Sequence, residues 1–557
     1  MRSFNWIAGA AMALMSQAVL ADAPTATFRN VTYQGKALPA PAGSFRNPVM
    51  SGFQPDPSIL RVGKDFYLVN STFAYFPAMP VYHSTDMVHW RLIGHGVDRP
   101  EQMPFGNVST SQGIYASSIS HHRGTFYIVS TCVGCKGNFI ISAKNPAGPW
   151  SDPVWLDFEG IDPSLFIDED GSAWMVNNGV PEQKPLYDGH RAIWGQRFDL
   201  ATMKLVGPRK ILIDGGVHPQ DKPIWVEGPH LFKHEGWYYL MPAEGGTAEN
   251  HSETIWRSRA PDGPFVAGPV NPILTQRDLP KGRPNRIEAT GHAELVKLAN
   301  GKWWSVFLGT RPYAGQSTLL GRETYLLPVS WQDGWPLILP KGAPVPLVLK
   351  APALPKAKGD NFDMAVERFT GKALGGEWLR LRTPFGDWAK TGAQGLQLTA
   401  RADAPSGQGQ PAFVGRRWRH HEAAMVTRLS FTPQAKGDFA GLLAYADESQ
   451  FMGFGLEAVG DGAWRLALRE RGGRTDPALG KLVVAEPIKA SKRDVELRVA
   501  INRDRADLGW RYAGEKAWHN FAKGHDVEHL ATIHAGQFMG LIVGPYAQAG
   551  ELVPPAN

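Results

Sequence analysis

The sequence predicts an all-β chain: a five-bladed β-propeller followed by a β-sandwich. Three observations carry that prediction. The first is a hairpin written five times, as DPSILRVGKDFYLVNS from Asp56, ASSISHHRGTFYIVS from Ala116, DPSLFIDEDGSAWMVNN from Asp162, EGPHLFKHEGWYYLMP from Glu227 and HAELVKLANGKWWSVFLG from His292. Each has a short apolar run, a polar stretch usually holding Gly or Asp-Gly, and a second run rich in aromatic and β-branched residues. The second is spacing: the starts lie 60, 46, 65 and 65 residues apart, which suits sheets arranged radially and not helical solenoid repeats. The third is a change of texture from Asp360 onward. There, short alternating runs such as AAMVTRLSF, FAGLLAYA, FMGFGLEA, WRLALRE and VELRVAIN are parted by Gly, Asp and Pro clusters, the pattern of an antiparallel sandwich.

In chain order, residues 1–23 hold one Arg, an apolar stretch from Trp6 to about Leu20 and then small residues. This is the make-up of a secretory signal peptide cleaved after Ala21 or Ala23, too short to argue for a membrane span. It implies a bacterial protein of the periplasm or the exterior, with no membrane attachment after cleavage. Residues 24–44 are rich in Pro and Ala and read as a lead-in. The propeller is expected over 45–341, its last piece RETYLLPVSWQDGWPLILP carrying two strand-like runs around an Asp-Gly turn that return to close the ring. Pro344, Pro346, Pro352 and Pro355 mark 342–359 as a stiff linker. The sandwich then fills 360–557.

Bulk properties agree with this division. A chain of 557 residues exceeds one ordinary core. Its 61 Gly, 44 Pro and 19 Trp favour many turns and aromatic surfaces, which suits a β-rich carbohydrate enzyme. The net charge of +6 is mild for this length, and no Lys/Arg run forms a nucleic-acid footprint. Cys132 and Cys135 are the only cysteines. In an exported protein a disulfide closing this tight loop, a pair of free thiols, and a metal or redox site are the readings open to them.

The repeat is most informative where it differs from itself. The inner strand of every blade lines one central channel, so residues at its start converge on one mouth. Matching the Pro and apolar residues that follow places Asp56, Ala116, Asp162, Gly228 and His292 at equivalent positions, with Glu227 one residue early. Asp56, Asp162 and Glu227 are therefore expected to face one another. Crowded carboxylates raise one pKa and keep another group ionised, which supplies an acid and a base in one pocket. By contrast Asp168, Glu169 and Asp170 sit in a hairpin turn and read as solvated.

These segments resemble glycoside hydrolase family 43, and within it the β-xylosidases that carry a C-terminal concanavalin-like sandwich. The resemblance rests on NPVMSGFQPDPSI, YHSTDMVHWRLIG, NPAGPWSDPVWL, GIDPSLFIDEDG, VEGPHLFK, ATGHAELV, GTRP and GRETYLLPVSWQDGWP, in the family's order, and on GRRWRHHEAAMVTRLSF with AGLLAYADESQF in the tail. It implies Asp56 as general base, Glu227 as general acid and Asp162 as the residue that orients the acid and raises its pKa. It implies inversion, with acid and base about 6.5 to 9.5 Å apart to admit a water. Arg311 of GTRP is matched to a substrate-binding arginine, and Phe73, Phe76 and Tyr115 to aromatic walls of the sugar pocket. Tyr115-Ala116-Ser117 departs from the family's usual Trp-Ala-Pro. His292 is matched to a histidine near the channel axis, beside a calcium or its water in many members. No cofactor is implied as required, and calcium stays open.

The leading expectation is an exo-acting β-xylosidase releasing xylose from the non-reducing ends of plant cell-wall oligosaccharides. The alternatives are an α-L-arabinofuranosidase, a retaining sucrose-cleaving propeller and a non-catalytic carbohydrate-binding propeller. Tyr115 and the inserted-looking NNGVPEQKPLYDGHRAIWG are where a preference between the first two is expected to lie. Oligomeric state is not legible in the sequence.

Overall fold

The computed structural model describes residues 23–489, 494–536 and 538–550. Residues 1–22, and with them the expected signal peptide, lie outside these. The regular secondary structure of the described residues is nearly all strand, and none of their helices is long and apolar enough to cross a membrane.

Each repeat becomes the inner hairpin of a blade. Blade 1 is Ser58–Val62, Asp65–Val69, Ala78–Ser84 and Arg91–Val97. Blade 2 is Ser118–His122, Thr125–Val133, Gly137–Ala143 and Val154–Trp155. Blade 3 is Ile161–Ile167, Ala173–Gly179, Ala192–Asp199 and Lys204–Asp214. Blade 4 is Glu227–His234, Trp237–Glu244, Trp256–Ser258 and Val266–Ala267, with two short added strands. Blade 5 is Glu288–Lys297, Trp303–Thr310, Glu323–Gln332 and Trp335–Leu337.

Two sets of contacts close the ring. Ahead of blade 1, Met50 bridges to Thr324, the Gln54 N–H donates to the Arg322 carbonyl at 2.9 Å, and the Asn47 side chain pairs with both backbone groups of Leu326. Around the axis, polar residues two positions beyond the matched mouth residues stitch blade to blade. Ser58 donates to Glu294 at 2.7 Å, Ser164 to the Pro229 carbonyl at 2.5 Å, and His230 meets Glu294 at 3.2 Å. These groups satisfy one another where water is scarce. Cys132 and Cys135 are joined by a disulfide at the turn between two strands of blade 2.

Residues 364–550 form two facing sheets with a shared apolar core. The stretch 24–44 is not merely a lead-in, which corrects the sequence reading. Thr25–Gly35 alternates buried and exposed residues and sits inside one sandwich sheet, between Gly395–Thr399 and Glu422–Phe431. Phe28 and Tyr33 on its inner face are fully buried, and that apolar area holds the strand in place. The linker 342–359 also contributes a strand, Val348–Lys350, paired with Ser44–Arg46. Nor is Asp168 simply solvated: it is buried and accepts bonds from Lys233 and Tyr238 at 2.9 and 2.6 Å.

Buried arginines lock the two bodies together. Arg417 donates to the Phe53 carbonyl at 2.8 Å, Arg419 to the Ser51 carbonyl at 2.9 Å and to Glu377 at 2.8 Å, and Arg382 to the Val108 carbonyl and to Glu448. Closer to the mouth, the Leu541 N–H donates to the Leu319 carbonyl at 2.8 Å. Gly321 and Gly540 approach so closely that a Cβ on Gly540 would lie 2.6 Å from the Leu320 carbonyl oxygen. Only glycine admits that approach.

Candidate active site

The mouth residues share one backbone device. Asp56, Asp162, Gly228 and His292 have φ of 48°, 53°, 56° and 51°, the left-handed region in which Asp and Gly are tolerated best. In blades 3, 4 and 5 this residue falls where the pairing register shifts, a bulge that re-aims a side chain. Ala116 lacks the left-handed φ. The offset of Glu227 has a steric cause: a Cβ on Gly228 would lie 2.7 Å from the His292 ring. Blade 4 cannot carry a side chain there, and its carboxylate stands one residue earlier.

The three carboxyl groups converge, each only 5 to 7% exposed. Asp56 accepts from the Ser71 hydroxyl at 2.5 Å and from the Arg322 guanidinium at 2.8 Å. Burial lifts the Asp162 carboxyl up to about 7, helped by the Asp56 charge and opposed by the Gly228 N–H that donates to it. Burial also pushes Glu227 well above the usual carboxylic range, with the Asp162 and Asp56 charges adding to it and Arg322 and Arg191 opposing. The arrangement therefore holds a proton on Glu227 beside an arginine-bound carboxylate. His292 stands 3.9 Å from Asp56; burial pushes its imidazole down to about 3, against the pull of Asp56. It is a neutral ring.

Of the predicted wall residues, Phe73 and Tyr115 meet with ring centroids 5.1 Å apart. Tyr115 lies within reach of the carboxylate charges, and burial first, then Asp162, raises its phenol to about 12. Phe76 is a correction. It is buried in the core between blades 1 and 2, beneath Arg380, and pairs with the sandwich through the Arg380–Leu381 strand.

Arg311 is the second correction. Its guanidinium forks onto Glu323 at 2.6 and 2.7 Å, and it is Arg322 that bonds Asp56. Arg322 and Glu323 are neighbours at the head of one strand and point to opposite faces, so Glu323 takes Arg311 while Arg322 reaches the axis. The buried Nε of Arg322 has no protein acceptor. The signal was present in GRETYLLPVSWQDGWP, read only as ring closure. A further residue, Phe538, had no local signal at all. The sandwich loop carrying it packs its ring on Phe73 and Tyr115, at 5.8 and 6.5 Å, and lies 5.4 Å from the Arg322 guanidinium.

Among the described residues no group of three or more His, Cys, Asp or Glu side chains is placed to hold a metal ion. Calcium takes roughly six to eight oxygen ligands. Around His292 the nearest carboxylate is already engaged by Ser71 and Arg322, and another imidazole, His230, faces the ring. This donor set does not fit a directly bound calcium.

A propeller whose axis gathers three buried carboxyl groups, one of them bonded to an arginine, under an aromatic roof has the make-up of a glycoside hydrolase. Residues 45–336 match the family model described as glycosyl hydrolases family 43, and residues 366–553 match the beta xylosidase C-terminal Concanavalin A-like domain. The chain belongs to glycoside hydrolase family 43. It is 40% identical over 420 residues to the non-reducing end alpha-L-arabinofuranosidase BoGH43B of Bacteroides ovatus, covering 73% of this chain and 74% of that one. It is 34% identical over 515 residues to a xylosidase/arabinosidase of Butyrivibrio fibrisolvens, covering 90% and 95%. A solved GH43_12 structure retrieved from capybara gut metagenome superposes with a TM-score of 0.86 at 35% identity, covering 94% of this chain and all of that one.

Proposed function

We propose that the protein is an exo-acting, inverting glycosidase that releases xylose from the non-reducing ends of xylo-oligosaccharides. The observation that carries the mechanism is the unequal treatment of Glu227 and Asp56. Asp56, bonded to Arg322 and Ser71, takes a proton from a water as that water attacks the anomeric carbon. Glu227, whose proton is held by burial and by Asp162, gives it to the glycosidic oxygen as the C–O bond breaks. One hydrolysis leaves Asp56 protonated and Glu227 charged, and solvent exchange resets both. Asp162, itself buried, keeps the acid's pKa high and accepts the Gly228 N–H. Arg322, flanked by Phe73 and Phe538, holds the Asp56 carboxyl in place for that role.

The second reading, an α-L-arabinofuranosidase, is favoured by the 40% identity to the B. ovatus enzyme of that name. Both readings use the same three carboxyl groups. The leader over 1–23 supports export to the periplasm or beyond, where the Cys132–Cys135 disulfide is chemically at home.

The test is hydrolysis of 4-nitrophenyl β-D-xylopyranoside and α-L-arabinofuranoside by the purified protein, with Glu227→Gln alongside. Faster xyloside cleavage supports the first reading and faster arabinofuranoside cleavage the second. Proton NMR of the first sugar formed from a xylo-oligosaccharide must show the α-anomer, and a β-anomer would refute inversion. Near-wild-type turnover of xylobiose by Glu227→Gln would refute the acid.

A further inference from the structure

Two loops meet beside the acid: residues 180–191, between the second and third strands of blade 3, and residues 215–226, which lead into Glu227. Trp225 stands at their junction, two residues before Glu227. Its φ is 51°, a conformation that bulky residues seldom adopt and that surrounding bonds must hold. Those bonds are present. The Trp225 N–H donates to the Gly189 carbonyl at 2.8 Å, the Ile224 carbonyl accepts from Gly245 and Gly246 at 2.9 and 3.2 Å, and the Tyr187 hydroxyl donates to the Pro223 carbonyl at 2.9 Å. The indole so held is 36% exposed. Its ring is backed by the Arg191 guanidinium at 4.1 Å, and Arg191 is itself tied to the His190 carbonyl.

A large apolar ring held out to solvent in a strained backbone is not explained by packing. Ile224, beside it in the chain, and Leu186 of the facing loop are exposed as well, among charged and polar residues of the same two loops. The acid must touch the oxygen that joins the leaving group, so the side chains flanking it at the mouth border the space the leaving group fills. The Arg191 charge acts on Glu227, which puts ring, cation and acid in one neighbourhood.

We propose that Trp225, backed by Arg191, is the platform that receives the leaving-group sugar, taking the apolar C–H face of a pyranose ring while Arg191 offers donors to its hydroxyls. The inference rests on Glu227 being the acid and holds whether the released sugar is xylose or arabinose. It gives the blade 3 insertion a role in choosing what the sugar is cleaved from.

The experiment compares two substrates sharing one glycon: the glycosyl fluoride, whose leaving group reaches no platform, and the disaccharide with xylose as leaving sugar. For Trp225→Ala, the ratio of kcat/KM on the disaccharide to that on the fluoride is expected to fall about tenfold or more, and Trp225→Phe to recover most of that ratio. Arg191→Gln should move the alkaline limb of the pH profile to higher pH, since the charge opposing the acid's raised pKa is gone. An unchanged ratio in Trp225→Ala, or equal losses on both substrates, overturns the platform while leaving the proposed activity standing. A wild type that cleaves neither substrate, tried as xyloside and as arabinofuranoside, overturns both.

Discussion

Asp162→Asn should make this protein more stable at pH 8 while disabling it. The Asp162 carboxyl is buried, faces the Asp56 charge, and has its pKa lifted from 3.8 to about 7. Holding that group charged in the folded state costs about 4 kcal/mol. Because the folded pKa lies above the unfolded one, the folded protein binds the proton more tightly. Wild-type stability therefore falls as pH rises from about 4 to about 7 and stays reduced above that. Asparagine keeps the shape and an oxygen to accept the Gly228 N–H, and it removes the charge. The expected gain is near zero at pH 4 and about 2 to 4 kcal/mol at pH 8, the lower figure because Asp162 and Glu227 titrate together. Urea unfolding followed by tryptophan fluorescence at the two pH values measures it. A difference that does not change with pH, or an Asn variant less stable than wild type at pH 8, would refute the electrostatic account of this site.

Two further outcomes are expected. Arg322→Lys keeps a charge but loses the planar fork between two aromatic rings, and kcat/KM should fall about 100-fold or more, whereas Arg311→Lys should chiefly lower the unfolding midpoint; the reverse pattern in steady-state kinetics would restore Arg311 to the site. Phe538→Ala removes the ring that the sandwich lays on Phe73, Tyr115 and Arg322, and KM should rise about tenfold with a smaller change in kcat, a split that initial-rate measurements resolve.

What the sequence made legible was local. The five hairpins follow from runs whose pattern is written within about 16 residues of chain, and the matched positions Asp56, Asp162, Gly228 and His292 share one backbone conformation. What stayed hidden depends on partners far along the chain. Thr25–Gly35 alternates as a strand should, yet nothing near it shows that its neighbours lie at 395–399 and 422–431. Arg311 and Arg322 are equally plausible by type; the choice turns on which side of a strand faces the axis, and Glu323 decides it. Phe76 and Phe73 share a segment and are equally buried, but Phe76 packs between blades 1 and 2 whereas Phe73 packs against Tyr115 and Phe538. Phe538 belongs to a loop of the other domain, and only tertiary structure brings it to the pocket.

The strand at Thr25–Gly35 has a consequence for biogenesis. It is made before the propeller, and its sheet partners emerge nearly 400 residues later, a wait of roughly 20 to 80 s at ordinary synthesis rates. The sandwich therefore cannot form as an autonomous last domain. It finishes only when Thr25–Gly35 meets the strands that follow the propeller, with the propeller held between them like a bead on a closed loop. Any partner that grips this strand before its sheet neighbours arrive would postpone maturation of the sandwich, and with it the ring that Phe538 lays on Phe73, Tyr115 and Arg322.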